Sequence, residues 1–262
     1  LIDLTGCTRL NLARGMIGDE GAKALAEALK SNGAITRLDL NRNSIGDDGA
    51  TALANVMKSS TLVGLDLSGN SIGDEGAVSL AETLESNTAF TKLLDLGGNS
   101  VGDKGAMALA KALKSNGTLA DLGFGGNSIG DEGATALAEA LKSNGVLTGL
   151  YLNRNSIGDA GARALAEALK SNSALIKLEI SGNSIGDEGA MALAETLKSN
   201  VALTGLGLAY NLIGAEIQAA VDDLLTKKKA QVKRKLEVER RAAKLAKTPA
   251  GASTGSDKTC DV

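Results

Sequence analysis

A carboxylate recurs along this chain at a nearly fixed interval. Asp19, Asp47, Asp74, Asp103, Asp131, Asp159 and Asp187 each follow an Ile-Gly or Val-Gly pair, and most precede a second acid or a lysine. Stacked along one rim, such a row could attract cations. A metal site, however, needs ligands that converge on one ion, and one carboxylate per turn of a stack does not converge. Each Asp also stands where a helix N-terminus favours a carboxylate, so the row reads as helix caps. The chain has no histidine. That excludes Ser-His-Asp, Cys-His and His-metal arrangements. No G-x-x-x-x-G-K-[ST] phosphate loop is present, and the glycines fall in turns. The sequence therefore implies no enzyme, no cofactor, no metal and no small-molecule substrate.

The second chemical feature is charge. The net charge is −3 over 262 residues, but residues 226–247 hold ten Lys/Arg against two Glu, a local +8. With −1 over the last fifteen residues, residues 1–225 carry −10. An acidic body with a basic extension points to a partner for the extension. The stretch 226–247 has no Gly or Pro and reads as one helix, with Leu225, Val232, Leu236, Ala243 and Ala246 as a narrow apolar stripe. Lys227, Lys228, Lys229, Lys233, Arg234, Arg240 and Arg241 are its candidate binding residues. A solvated helix, an acidic protein surface, nucleic acid and an anionic membrane all fit this composition. The stripe lacks Trp and Phe, which argues against the membrane. The reading taken is a protein that is acidic where it meets the helix, ahead of nucleic acid or membrane. From Thr248 the chain is small and polar and is expected to be disordered.

These residues are set on a repeat. Measured from the first Leu of each L-x-L, copies start at Leu10, Leu38, Leu65, Leu94, Leu122, Leu150, Leu178 and Leu206. The period of about 28 residues fixes the architecture. Leu38-Asp39-Leu40 alternates like a half-buried strand. Ala22, Leu25, Ala26 and Leu29 recur at i, i+3, i+4 and i+7, the stripe of an amphipathic helix. Lys23 and Glu27 fall on the opposite face as a candidate i,i+4 pair. Gly18 permits the turn into the helix, and Asn32-Gly33 is a candidate left-handed stop. One strand and one helix cannot bury their apolar faces alone, but stacked copies can. With 2% aromatics and no Trp, the core must be aliphatic. Cys7 and Cys260 lie at opposite ends and form no disulfide framework, and no leader pattern is seen. Both observations imply an intracellular, cytoplasmic setting. The start at Leu1, in mid-repeat, implies a fragment of a longer chain. The sequon Asn116-Gly117-Thr118 is a chance match in a chain rich in Asn, Ser and Thr.

The pattern L-x-x-L-x-L-x-x-N-x-I-G-x-x-G-x-x-x-L-A-x-x-L resembles the ribonuclease-inhibitor class of leucine-rich repeats, a class also found in the Ran GTPase-activating protein and in the sensor ends of NOD-like receptors. The resemblance covers residues 1–225. It implies an α/β horseshoe with parallel strands inside and helices outside, followed by the basic helix at 226–247. It also implies that Asn43, Asn70, Asn99, Asn127, Asn155, Asn183 and Asn211 point inward as a ladder to the backbone of adjacent turns. Gly15 replaces this residue in the first copy, which should be looser or edge-like. The inner face is where such proteins bind partners. Among its exposed positions, Arg14, Arg37, Arg42, Tyr151, Arg154 and Tyr210 have the side chains favoured at binding hot spots. The function read from this is a non-enzymatic scaffold or assembly subunit. A regulator of a small GTPase and the ligand-sensing end of a larger receptor are the alternatives.

Overall fold

The computed structural model describes residues 7–58 and 60–246, apart from the side chains of 235, 236 and 241–246. The tail expected to be disordered, 248–262, lies outside the described residues. Among these, strands and helices alternate as β1 (Arg9–Asn11), α1 (Gly18–Lys30), β2 (Arg37–Asp39), α2 (Asp47–Met57), β3 (Gly64–Asp66), α3 (Asp74–Ser86), β4 (Leu93–Asp95) and α4 (Asp103–Ser115). They continue as β5 (Asp121–Gly123), α5 (Asp131–Leu141), β6 (Gly149–Tyr151), α6 (Asp159–Ser171), β7 (Lys177–Glu179), α7 (Asp187–Ser199), β8 (Gly205–Gly207) and α8 (Ala215–Ala246). Repeat n carries βn and αn.

The eight strands form one parallel sheet in chain order, with the first Leu of each L-x-L paired to the next, as in Leu38 opposite Leu65. Each helix packs on its neighbour. Helices are about 10 Å wide and paired strands about 4.8 Å apart, so the stack curves with the sheet inside. This is the α/β solenoid expected from the repeat. Between the layers lies an aliphatic core. In repeat 2 it takes Leu38, Leu40, Ile45, Ala50, Leu53 and Met57, all fully buried. Burying each large side chain stabilises by about 1.5–3 kcal/mol. The only aromatics in this layer are Phe90 and Phe124, which replace aliphatic residues of other copies.

Polar side chains bind the repeats together. The amide nitrogen of Asn127 donates to the oxygens of Leu96 in the preceding repeat (2.8 Å) and Phe124 (2.9 Å), and its amide oxygen accepts from Val101 N (2.9 Å). Asn43 does the same for repeat 1, accepting from Gly15 N at 2.7 Å and donating to Leu12 O at 2.8 Å. Gly15 can replace asparagine because no earlier loop within the described residues needs its amide.

The acidic row is a correction. The aspartates do not cap their own helices: α2 has Gly46 at its N-cap with no side-chain cap bond. Instead, Asp19 of α1 accepts from Gly46 N (2.7 Å) and Gly49 N (2.9 Å) of repeat 2. Asp47, Asp74, Asp103, Asp131 and Asp159 serve the next helix in the same way, and Asp187 reaches Gly214 N alone. The carboxylate thus meets a positive helix end, but one belonging to its neighbour. This explains the glycine at the third position of α2 to α7. A Cβ on Gly76 would stand 2.7 Å from Asp47 Oδ1 and 2.8 Å from Ile72 Cγ2.

Helix ends differ from expectation too. No left-handed glycine stops them. α4 ends on Asn116, in extended backbone, and its amide donates to Leu84 O (2.8 Å) and accepts from Leu119 N (2.9 Å). That amide is buried and fully engaged, which removes the sequon as a modification site. Lys23 pairs with Glu20 (3.0 Å) and with Asp48 of the next repeat (3.2 Å), whereas Glu27 pairs with Lys30.

The boundary expected at 225/226 falls inside α8, which runs unbroken from Ala215 to Ala246. Its first part packs on α7 through buried Val221 and Leu225, with Ile217, Leu224, Lys228 and Val232 half-buried. Past the level at which α7 ends, it continues for about 28 Å.

A candidate interaction surface on the inner sheet face

Positions on the inner face include the two residues flanking the first Leu of each L-x-L and one in the turn after the strand. Strand register aligns them into rows. The first row runs Arg9, Arg37, Gly64, Leu93, Asp121, Gly149, Lys177 and Gly205. The second runs Asn11, Asp39, Asp66, Asp95, Gly123, Tyr151, Glu179 and Gly207. The turn row is Arg14, Arg42, Gly69, Gly98, Gly126, Arg154, Gly182 and Tyr210.

Every residue of the turn row has positive φ, between 55° and 70°. Glycine adopts this conformation freely and fills four of the eight places. Arg14, Arg42, Arg154 and Tyr210 hold it with full side chains, at a cost of about 1 kcal/mol or more each. Tyr210 is 91% exposed, so core packing does not force it there. Four of the six inner-face candidates therefore share one strained backbone site.

Large inner residues lie over glycines of the following repeat. The stem of Arg42 crosses Gly69, whose Cβ would be 2.8 Å from Arg42 Cγ. Arg154 crosses Gly182 in the same way, and the Arg37 stem runs beside Gly64. Gly64 and Gly69 in the glycine-rich middle of the face thus seat side chains of repeat 2. Tyr151 is half-buried, with the Lys177 ammonium 4.8 Å from its ring centroid, a cation–π contact. Lys177 also faces Glu179 at 3.6 Å.

Sequence reasoning did not single out the acidic part of the second row. Asp39, Asp66 and Asp95 stand side by side on adjacent strands. Each also accepts from a main-chain N–H two residues on, as Asp95 does from Gly97 (2.9 Å). Burial, followed by the charge of Asp66, pushes the Asp95 carboxyl above its ordinary range. Burial raises Asp121 as well, against the opposing pull of Lys177 and Lys92. A groove of about 480 Å³ lies over β1 to β5, lined by both charges, including Arg9, Arg37, Lys92, Asp39, Asp66 and Asp121. No group of metal-binding side chains occurs among the described residues.

The candidates do not form one patch. Arg14, Arg37 and Arg42 lie together on repeats 1 and 2. Tyr151 and Arg154 share repeat 6, about 20 Å away by strand spacing, and Tyr210 is on repeat 8. The basic residues of α8 form a separate site. Lys229, Lys233 and Arg240 are exposed at helical spacing on one side, while Lys227 and Arg234 share another. Lys227 pairs with Asp223 at 2.6 Å. The side chain of Arg241 lies outside the described residues, as do those of Leu236, Ala243 and Ala246.

Lys228 departs from expectation. Its ammonium turns into the array and donates to the main-chain oxygens of Leu197, at 3.2 Å, and Asn200. Burial holds its pKa below the usual lysine value. Its ammonium serves the stack.

A family model described as leucine-rich repeat matches residues 8–26, 34–54, 58–81, 92–110, 115–138, 143–166 and 171–194. No curated protein sequence matches the chain. Among solved structures, actin-binding site 2 of leiomodin-1 is similar at 24% identity and TM-score 0.53, over 64% of this chain and 96% of that one. The tropomodulin C-terminal domain of Caenorhabditis elegans is similar at 14% identity and TM-score 0.51, over 63% of this chain and 98% of that one. At these identities the likeness is one of fold.

Proposed function

Because the chain belongs to the leucine-rich repeat family, we propose that it is a non-enzymatic scaffold or assembly subunit that holds a protein partner against its inner sheet face. The observation that carries this reading is the turn row. Backbone strain at an exposed side chain contributes nothing to folding, and the same array uses glycine at four equivalent places. Arginine and tyrosine are the side chains that dominate binding interfaces. Retaining them where glycine fits better supports selection for contact rather than for stability.

The exposed basic overhang of α8 is a second contact in this proposal, made with an acidic surface of the partner. The setting proposed is intracellular, in the cytoplasm. No described helix is long and apolar enough to cross a membrane.

The test is a variant with Arg14→Gly, Arg42→Gly, Arg154→Gly and Tyr210→Gly in the full chain. It should fold at least as well as the parent and lose its partner in quantitative affinity capture. Retention of every partner would sink the inner-face reading. Actin heads the panel of purified partners, on the likeness in fold to actin-binding site 2 of leiomodin-1. A panel of small GTPases should show no acceleration of turnover, which separates the scaffold from a regulator.

A further inference from the structure

Four arginines crowd one end of the inner face. Arg9 and Arg37 stand opposite each other across β1 and β2. Arg14 N donates to Asn41 O at 2.8 Å, which sets the turns of Arg14 and Arg42 side by side. All four side chains are exposed. None joins an ion pair among the described residues. Like charges directly opposite in a sheet repel. The body they belong to carries −10, so carboxylates are not scarce in it. Two unfavourable features therefore coincide here: like charges without an ion-pair partner in the first row, and left-handed backbone under Arg14 and Arg42.

Two of these side chains are also seated. Repeat 3 offers Gly64 beside the Arg37 stem and Gly69 beneath the Arg42 stem. A stem lying along bare backbone loses rotamer freedom before binding, which lowers the entropy cost of holding a ligand.

We propose that repeats 1 and 2 form a docking site for a short acidic segment of a partner protein, whose carboxylates pair with Arg9, Arg14, Arg37 and Arg42. The proposal rests on the scaffold reading and names the chemistry of one of its contacts. A guanidinium presents a planar fork that matches a carboxylate with two parallel N–H donors. The acids adjoining the site decide against a nucleic acid. Asp39, Asp66 and Asp95 continue from it across β2, β3 and β4. A uniform polyanion following the groove would meet these carboxylates and be repelled, whereas a short segment with acids at one end would not.

The experiment uses the full chain and a fluorescent glutamate-rich peptide, with its glutamine analogue as control, read by anisotropy at low salt. The glutamate peptide should bind, weaken as salt rises, and bind roughly tenfold or more weakly to Arg14→Gly/Arg42→Gly and to Arg9→Gln/Arg37→Gln. The first pair also relieves backbone strain, so an unchanged or higher melting temperature excludes misfolding as the cause. Lys104→Gln/Lys114→Gln on α4, in the outer helix layer, should leave peptide binding unchanged. No binding to the parent chain overturns the proposal. So does equal binding by the glutamine analogue or by the arginine variants, or full competition by a single-stranded oligonucleotide. If Arg154→Gly/Tyr210→Gly loses captured partners while the peptide fails to bind, the scaffold reading stands and this one falls.

Discussion

Lys228 donates from its ammonium to the main-chain oxygen of Asn200. It stands 28 residues after Asn200, the place of the next asparagine in the series Asn116, Asn144, Asn172 and Asn200. Asn200 itself donates to Leu169 O (2.6 Å) and Asn172 O (2.9 Å), and Lys228 reaches the corresponding oxygens of the repeat before it. An asparagine amide also accepts from the N–H groups that follow it, as Asn200 does from Ala202 and Leu203, and this ends the helix. A lysine has no acceptor. The donor half of the motif survives while the stop is lost, and α8 runs on.

Lys228→Met should therefore lower stability by about 1–3 kcal/mol, since it strands carbonyl oxygens against an apolar tip. Truncation after Lys229 should leave the urea midpoint of the array nearly unchanged, while truncation after Leu225 should lower it. Equal midpoints for the two shortened chains would show that Lys228 contributes nothing.

The glycine at the third helical position is there for space, and its substitution tests the inter-repeat cap. Gly76→Ala gains helix propensity of about 1 kcal/mol yet should cost about 1–3 kcal/mol overall, because its methyl meets the Asp47 carboxylate. Gly117→Ala meets nothing within 4 Å and should stay within about 0.5 kcal/mol of the parent. Denaturant unfolding of both variants decides the point, and the reverse ranking would remove this account of the acidic row.

Asn127→Ala removes an amide with three main-chain partners, Leu96 O, Phe124 O and Val101 N. The expected loss is about 1–3 kcal/mol, with unfolding still cooperative. A neutral result in urea titration would mean that water replaces the ladder at no cost.

The Asp95 carboxyl has a folded pKa above its ordinary 3.8, through burial and then Asp66. Between those two values the folded chain binds more protons than the unfolded chain, so stability falls as pH rises through that window. Asp95→Asn keeps an oxygen for Gly97 N and removes the charge. It should raise the melting temperature at neutral pH, and the gain should vanish on acidification below 3.8. A gain that is independent of pH would assign the effect to something other than ionisation.

The sequence by itself determined the repeat, the alternation of strand and helix, and the aliphatic core. Through its resemblance to a known repeat class it also marked Asn127 and its equivalents as ladder residues. Each follows from hydrophobic period, or from a polar group that must find a partner, and both act within one copy or identically in all. The side chains on the inner face were legible as well, since they alternate with Leu38 and Leu40. Only the tertiary structure decided which copy each polar group serves. Asp47 opens its own helix in sequence, yet its carboxylate accepts from the amides of Gly73 and Gly76 in the next repeat. In a periodic chain a contact within a copy and a contact to the next copy involve the same residue types, so sequence cannot separate them. The same degeneracy hid Lys228, which looks like one cation of a basic run until the stack places it under the carbonyls of Leu197 and Asn200. It hid the strain too: Arg42 and Gly69 are equivalent letters of the repeat, and only backbone geometry shows that one holds its place at a cost and the other does not.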